Sequence, residues 1–206
     1  MNKTTLIVLK TATWLGCLYP VATLVYGAVT NNLGPDPTAR IELSTGNFAL
    51  NLLVASLAIT PLRQLWSRLS WLIKFRRLLG LFAFFYASVH MFAYVGLYAA
   101  FDPHTMVDDV LKRRFIAVGA AAWLLLVPLA VTSTTGWIRR LGGKRWNQLH
   151  KLVYISVCCG IVHYWWQVKP GVLAPLSITL IMAALFIARP VLTWWKLRKT
   201  RALRTA

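Results

Sequence analysis

RWNQLHKLVYISVCCGIVHYWWQ, residues 145–167, holds a basic edge, an apolar body and an aromatic end in one stretch. Arg145, His150 and Lys151 stand at its start, Leu152–Gln167 is mainly apolar, and Trp165 and Trp166 lie at its close. A helix that crosses a bilayer has this order, with charge at one surface and indole rings at the far interface. Five more runs are mainly apolar: Leu6–Val29, Asn47–Leu62, Leu78–Ala100, Phe115–Val131 and Val172–Trp195. A spanning helix needs about 20 residues, so most runs fit, and Asn47–Leu62 should begin earlier, near Leu43. The sequence predicts an all-α integral membrane protein, a six-transmembrane-helix bundle forming one membrane domain over residues 1–206.

Composition agrees. Of 206 residues, 58% are hydrophobic and only 14% charged, where a soluble domain carries about a quarter. Mean hydropathy is +0.58. No small-residue cleavage site follows Leu6–Val29 cleanly, so that run is kept as the first helix rather than a signal peptide.

The net charge of +18 is a topology signal, not a nucleic-acid one. If the helices alternate, Arg63, Arg68, Lys74, Arg76, Arg77, Arg139, Arg140, Lys144, Arg145 and Lys151 share one side. Lys3, Lys10 and the tail residues Lys196, Arg198, Lys199, Arg201 and Arg204 join them. The other side has Arg40, Lys112, Arg113, Arg114 and Lys169, plus all five acids: Asp36, Glu42, Asp102, Asp108 and Asp109. The positive-inside rule then places both termini in the cytoplasm. Basic balance of this kind also attracts anionic lipid. Arg189 falls within the last apolar run, towards its basic end.

The segments between the runs leave no room for a soluble catalytic domain. Thr30–Gly46 carries turn signals, and no acid is expected inside a helix. Leu65, Trp66, Leu69, Leu72 and Ile73 recur at helical spacing among Arg63, Arg68, Lys74 and Arg77, which predicts an amphipathic helix on the cytoplasmic membrane surface. Cys17, Cys158 and Cys159 form no C-x-x-C, so no thiol redox motif or covalent haem attachment is supported. No Gly-rich dinucleotide fingerprint occurs.

Three of the four histidines, His90, His150 and His163, lie in or at the ends of apolar runs. An ionisable side chain within a membrane is costly and is a functional-site hypothesis by default. His90 follows Arg77 by thirteen residues, and His163 follows His150 by thirteen. Both helices run outward, so both imidazoles sit about 20 Å from the inner edge. Matched depth on two parallel helices is what bis-histidine haem ligation requires. Small residues flank both by helical spacing: Ala83, Ala87 and Ala93 around His90, and Ser156, Cys159 and Gly160 around His163. The same residues would serve plain helix packing. His150 lies about 140° around the helix from His163. It is open between a second haem ligand, a flavin or quinone contact, and a surface cap. His104 follows Asp102-Pro103 in an outer loop and reads as solvated. The absence of carboxylates from the helices favours electron over proton traffic.

Longer strings carry a resemblance. Asn51-Leu52-Leu53 through Ile59-Thr60-Pro61-Leu62-Arg63, Arg76-Arg77-Leu78-Leu79-Gly80-Leu81 leading to His90, Thr132-Ser133-Thr134-Thr135-Gly136-Trp137, Arg145–Tyr154, and His163-Tyr164 resemble the MsrQ (YedZ) family over almost the whole chain. They are also similar to the wider ferric-reductase-like transmembrane family. The resemblance implies a ferric-reductase-like haem-binding core at about 43–168, flanked by helix one (6–29) and helix six (172–195). It implies haem b held by His90 and His163, with His150 as a further haem or cofactor contact. The family is associated with FMN, and with a quinone or a cytosolic flavin reductase as donor. Its partner is a periplasmic molybdopterin-containing MsrP-like reductase that repairs oxidised methionine, so substrate chemistry would sit in the partner. The wider family has two histidines on each of these helices, whereas Arg76 and Arg77 occupy the second position on helix three here. A ferric or cupric reductase of the same fold, and a non-redox transporter or assembly factor, are the competing expectations.

Overall fold

A computed structural model describes residues 2–168 and 173–205. Lys169 and Val172 lie outside the described residues, as do the side chains of Lys196, Lys199, Arg201 and Arg204. The described chain is helical throughout: α1 (Lys3–Val29), α2 (Pro37–Leu65), a 3₁₀ segment (Ser67–Leu72), α3 (Ile73–Ala93), a π turn (Tyr94–Tyr98), α4 (Pro103–Lys112), α5 (Arg114–Val131), α6 (Thr135–Leu149), α7 (Leu152–Gln167) and α8 (Ala174–Thr205).

Five stretches are long and apolar enough to cross a membrane: Lys3–Val29, Pro37–Leu65, Ser67–Tyr98, Arg114–Val131 and Ala174–Trp195. The remaining expected span, α7, forms but has only 16 residues, about 24 Å at 1.5 Å per residue. Large apolar side chains such as Leu15, Phe92, Leu124 and Ile187 face outward, as lipid-facing side chains do.

The core is drawn from five helices. Leu50, Leu53, Val54 and Leu57 of α2 pack with Ala83 of α3, Leu126 and Leu129 of α5, Val157 of α7, and Ile178 and Met182 of α8. Because lipid tails are as apolar as leucine, hydroxyls and small residues must hold such helices together. Ser56 Oγ donates to the Arg76 carbonyl at 2.9 Å, Ser156 Oγ to Ala122 at 2.8 Å, and Trp123 Nε1 to Ser88 Oγ at 3.0 Å. Some of the small residues near His90 and His163 belong to this packing: Ala83 is fully buried in the core, Ala87 packs against it, and a Cβ on Gly160 would lie 3.5 Å from Leu50.

Helix α1 hangs outside this core on Tyr86. The Tyr86 hydroxyl donates to the Cys17 carbonyl at 2.6 Å and accepts from the Val21 amide at 3.2 Å. It thus inserts into one i→i−4 rung beside Pro20, where the ladder is already interrupted.

Three segments differ from expectation. Helix α2 runs straight through Pro61 to Leu65, and only a six-residue 3₁₀ segment follows, so the amphipathic surface helix does not form. Proline leaves the carbonyl four residues back without its donor; here Arg189 Nη2 of α8 donates to that carbonyl, Leu57 O, at 2.6 Å. The same guanidinium donates to the Tyr154 hydroxyl of α7. Second, Glu42 lies inside α2 and Asp108 and Asp109 inside α4, so the helices do contain acids. Third, the outer loop after Asp102 is the amphipathic helix α4, with Asp102 accepting from the His104 and Thr105 amides.

Candidate functional site

Helices α3 and α7 bring His90 and His163 together. Their ring centroids are 5.9 Å apart and their planes cross at 81°. Two imidazoles on opposite sides of one metal, each bonded at about 2 Å, have centroids about 6 Å apart. The depth match expected from spacing therefore becomes a lateral match.

Hydrogen bonding sets which nitrogen each ring presents. His90 Nδ1 lies 2.8 Å from Glu42 Oε2, 3.1 Å from the Glu42 carbonyl and 3.4 Å from Thr45 Oγ1. The Thr45 hydroxyl donates to the Ile41 carbonyl at 2.7 Å, so towards the ring it accepts. Every neighbour of Nδ1 is then an acceptor, and Nδ1 carries the proton. His163 Nδ1 lies 2.7 Å from the Phe115 carbonyl, which likewise can only accept. Both rings keep the Nε2 lone pair for a metal. Metal-bound histidines are characteristically oriented this way, by a carboxylate or carbonyl at the other nitrogen.

Two glycines admit the rings. A Cβ on Gly46 of α2 would lie 3.2 Å from His90 Cε1, and one on Gly119 of α5 would lie 2.7 Å from His163 Nδ1. Each glycine sits on the helix that also supplies the ring's acceptor. The donor set and its setting thus fit a planar metal macrocycle clamped between two imidazoles.

His150 is built differently. It sits in the turn between α6 and α7, stacked on Trp146 at 3.8 Å between centroids. Its Nε2 lies 3.1 Å from Thr132 Oγ1. That hydroxyl donates to the Pro128 carbonyl at 2.6 Å, so His150 Nε2 is the donor and its lone pair is on Nδ1. Burial, and then the Arg76 guanidinium, hold the imidazole below its ordinary pKa. The corner is tied further by Trp146 Nε1 on the Thr132 carbonyl at 2.9 Å. Gly142, at φ +72° and ψ 152°, breaks α6 in two, a conformation that requires glycine. The Thr132–Trp137 string thus forms the corner that holds His150, with Thr134 accepting from the Trp137 amide to cap α6. His104 lies exposed in the first turn of α4, apart from the paired rings.

Spacing alone missed Glu42, Thr45, Gly46, Gly119 and the Phe115 carbonyl. An acid and a glycine four residues apart at the start of the second helix were the available signal. A backbone carbonyl has none.

A family model described as ferric reductase like transmembrane component matches residues 42–161. A relative from Herminiimonas arsenicoxydans is 44% identical over 200 residues, covering 96% of this chain and 91% of its own. One from Ralstonia nicotianae is 42% identical over 192 residues, covering 93% and 88%. One from Xanthomonas oryzae pv. oryzae is 44% identical over 213 residues, covering 100% and 95%. Each is named protein-methionine-sulfoxide reductase heme-binding subunit MsrQ. No solved structure matches.

Proposed function

The chain belongs to the MsrQ family of ferric-reductase-like transmembrane components, and from that membership we propose that it is the b-type haem electron-transfer subunit of a methionine sulfoxide reductase system. One observation carries the haem assignment: two imidazoles 5.9 Å apart, each tethered at Nδ1 by an acceptor and so keeping the lone pair on Nε2.

His90 and His163 hold the iron in this reading. Glu42 and the Phe115 carbonyl keep the Nδ1 protons in place and stop the rings from rotating. Gly46 and Gly119 let α2 and α5 approach them closely. Held by His90 and His163, a haem would supply a one-electron carrier suited to electron transfer rather than substrate binding. His150 is the cofactor contact nearest the cytoplasmic donor, with Nδ1 as its available nitrogen.

The topology in this reading has six spans, with α7 as the fifth and both termini cytoplasmic in a bacterial inner membrane. The basic inner face receives the donor, a quinol or FMN-borne electrons from a cytosolic flavin reductase. The outer face, with Asp36, Asp102 and Asp108, meets a periplasmic molybdopterin-containing MsrP-like reductase, which carries out the sulfoxide chemistry.

The test is a reconstituted assay. Purified protein in vesicles should show a haem Soret band and pass electrons from a reduced flavin or quinol to the MsrP-like partner. Transfer to chelated ferric iron but not to that partner would favour the metal reductase. Absence of any haem spectrum would overturn the redox reading altogether.

A further inference from the structure

Resting on the haem reading above, we propose that Glu42 is a positioning residue for His90 that lowers the reduction potential of the site. The two imidazoles are not equivalent. His163 Nδ1 meets a neutral carbonyl at 2.7 Å, whereas His90 Nδ1 meets a carboxylate oxygen at 2.8 Å.

Glu42 has no other visible task. Its side chain is 15% exposed, and Oε1 is buried without a hydrogen-bond partner. Among the described residues, its one ion-pair partner is His90. The acids of α4 are used locally instead: Asp108 pairs with Lys112, and Asp109 with Arg113 at 3.1 Å and the Tyr94 hydroxyl at 2.8 Å. An ionisable group placed inside a spanning helix without such local pairing points to function.

The chemistry follows from charge. A carboxylate at Nδ1 draws the proton towards itself and makes Nε2 a more basic ligand. Ferric haem carries one more positive charge than ferrous haem. A basic ligand and a fixed anion a few ångströms away therefore favour the oxidised form. Glu42 touches the ring directly and is largely buried, so the effect is weakly screened. His90 becomes the stronger donor of the two ligands, and His163 the ordinary one.

Thr45 offers an internal control. It is fully buried and touches the same nitrogen at 3.4 Å, but carries no charge. Redox titration of Glu42→Gln, with haem content measured alongside, should show a rise of at least about 59 mV, a tenfold change in the one-electron equilibrium. Thr45→Val should move the midpoint by much less. An unchanged midpoint in haem-loaded Glu42→Gln would overturn the proposal, as would an equal shift in Thr45→Val. Should Glu42→Gln not retain haem, Glu42→Asp keeps the charge at a longer reach and should raise the midpoint by a smaller step. Loss of haem from both Glu42 variants in a folded protein would leave Glu42 a purely structural support and also overturn the proposal. A wild-type protein without haem would overturn the reading beneath it instead.

Discussion

His90 and His163 sit on two different helices with ring centroids 5.9 Å apart and planes at 81°, and the proton on each Nδ1 is committed to an acceptor. His150 has the opposite arrangement, with Nε2 committed to Thr132. His90→Ala and His163→Ala should each lose most of the haem absorbance, while His150→Ala should keep it. Haem quantitation with an optical redox titration on purified variants checks this. Full haem retention in His163→Ala would sink the pairing.

Gly119→Ala places a methyl 2.7 Å from His163 Nδ1, against a ring held by Phe115. Overpacking of this kind costs about 1–3 kcal/mol, more than the helix propensity of about 1 kcal/mol that alanine gains over glycine. Gly119→Ala should therefore melt at a lower temperature in detergent and bind less haem. At Gly46 the closest contact is 3.2 Å, so the two effects nearly cancel and stability should stay close to wild type. The opposite ranking in thermal unfolding would contradict this geometry.

Arg189→Met removes the donor from the Leu57 carbonyl that Pro61 leaves free, and from the Tyr154 hydroxyl. An unsatisfied buried acceptor costs about 1–3 kcal/mol. Pro61→Ala returns an amide to that carbonyl, so Pro61→Ala/Arg189→Met should recover part of the loss. A double-mutant cycle by denaturant unfolding should give a coupling of about 0.5–3 kcal/mol. Strict additivity would mean that Arg189 does not serve the Pro61 gap.

Asp102 caps α4. Hydrogen bonds from the Thr105 hydroxyl and from the Thr105 and His104 amides hold its carboxyl below the ordinary carboxylate range. The sign follows from the lowered value. Its contribution is complete above the unfolded pKa of about 3.9 and is lost as pH falls through the lower folded value. The protection factors of the His104 and Thr105 amides, taken against the intrinsic exchange rate at each pH, should therefore fall on acidification through that window. Asp102→Ala should show low protection factors at these amides across the same range, and protection equal to wild type in the variant would refute the cap.

Much of the fold was legible from local order. Hydropathy runs long enough to cross a membrane are a one-dimensional property, and so is the depth of a side chain along its helix. The basic segment predicts a separate surface helix because Leu65, Trp66, Leu69, Leu72 and Ile73 recur at helical spacing, but α2 instead runs on to Leu65 through Pro61. The donor missing at Pro61 was replaced by Arg189, 128 positions further along the chain. Glu42 stands among turn signals ahead of the apolar run, yet α2 begins at Pro37 and takes it in.

The sequence by itself determined that the chain is a bundle of apolar helices, that His90 and His163 lie at one depth, and that His150 lies at another. These follow from hydropathy and from a fixed rise per residue, neither of which depends on the partner helices. Only the tertiary structure decided that the two rings come within 5.9 Å of each other, that Glu42 and the Phe115 carbonyl select their tautomers, and that Gly46 and Gly119 make room for them. Those relations depend on which helices become neighbours and on how they are rotated. Side-chain packing sets both, and a backbone carbonyl leaves no mark in the sequence that would announce it.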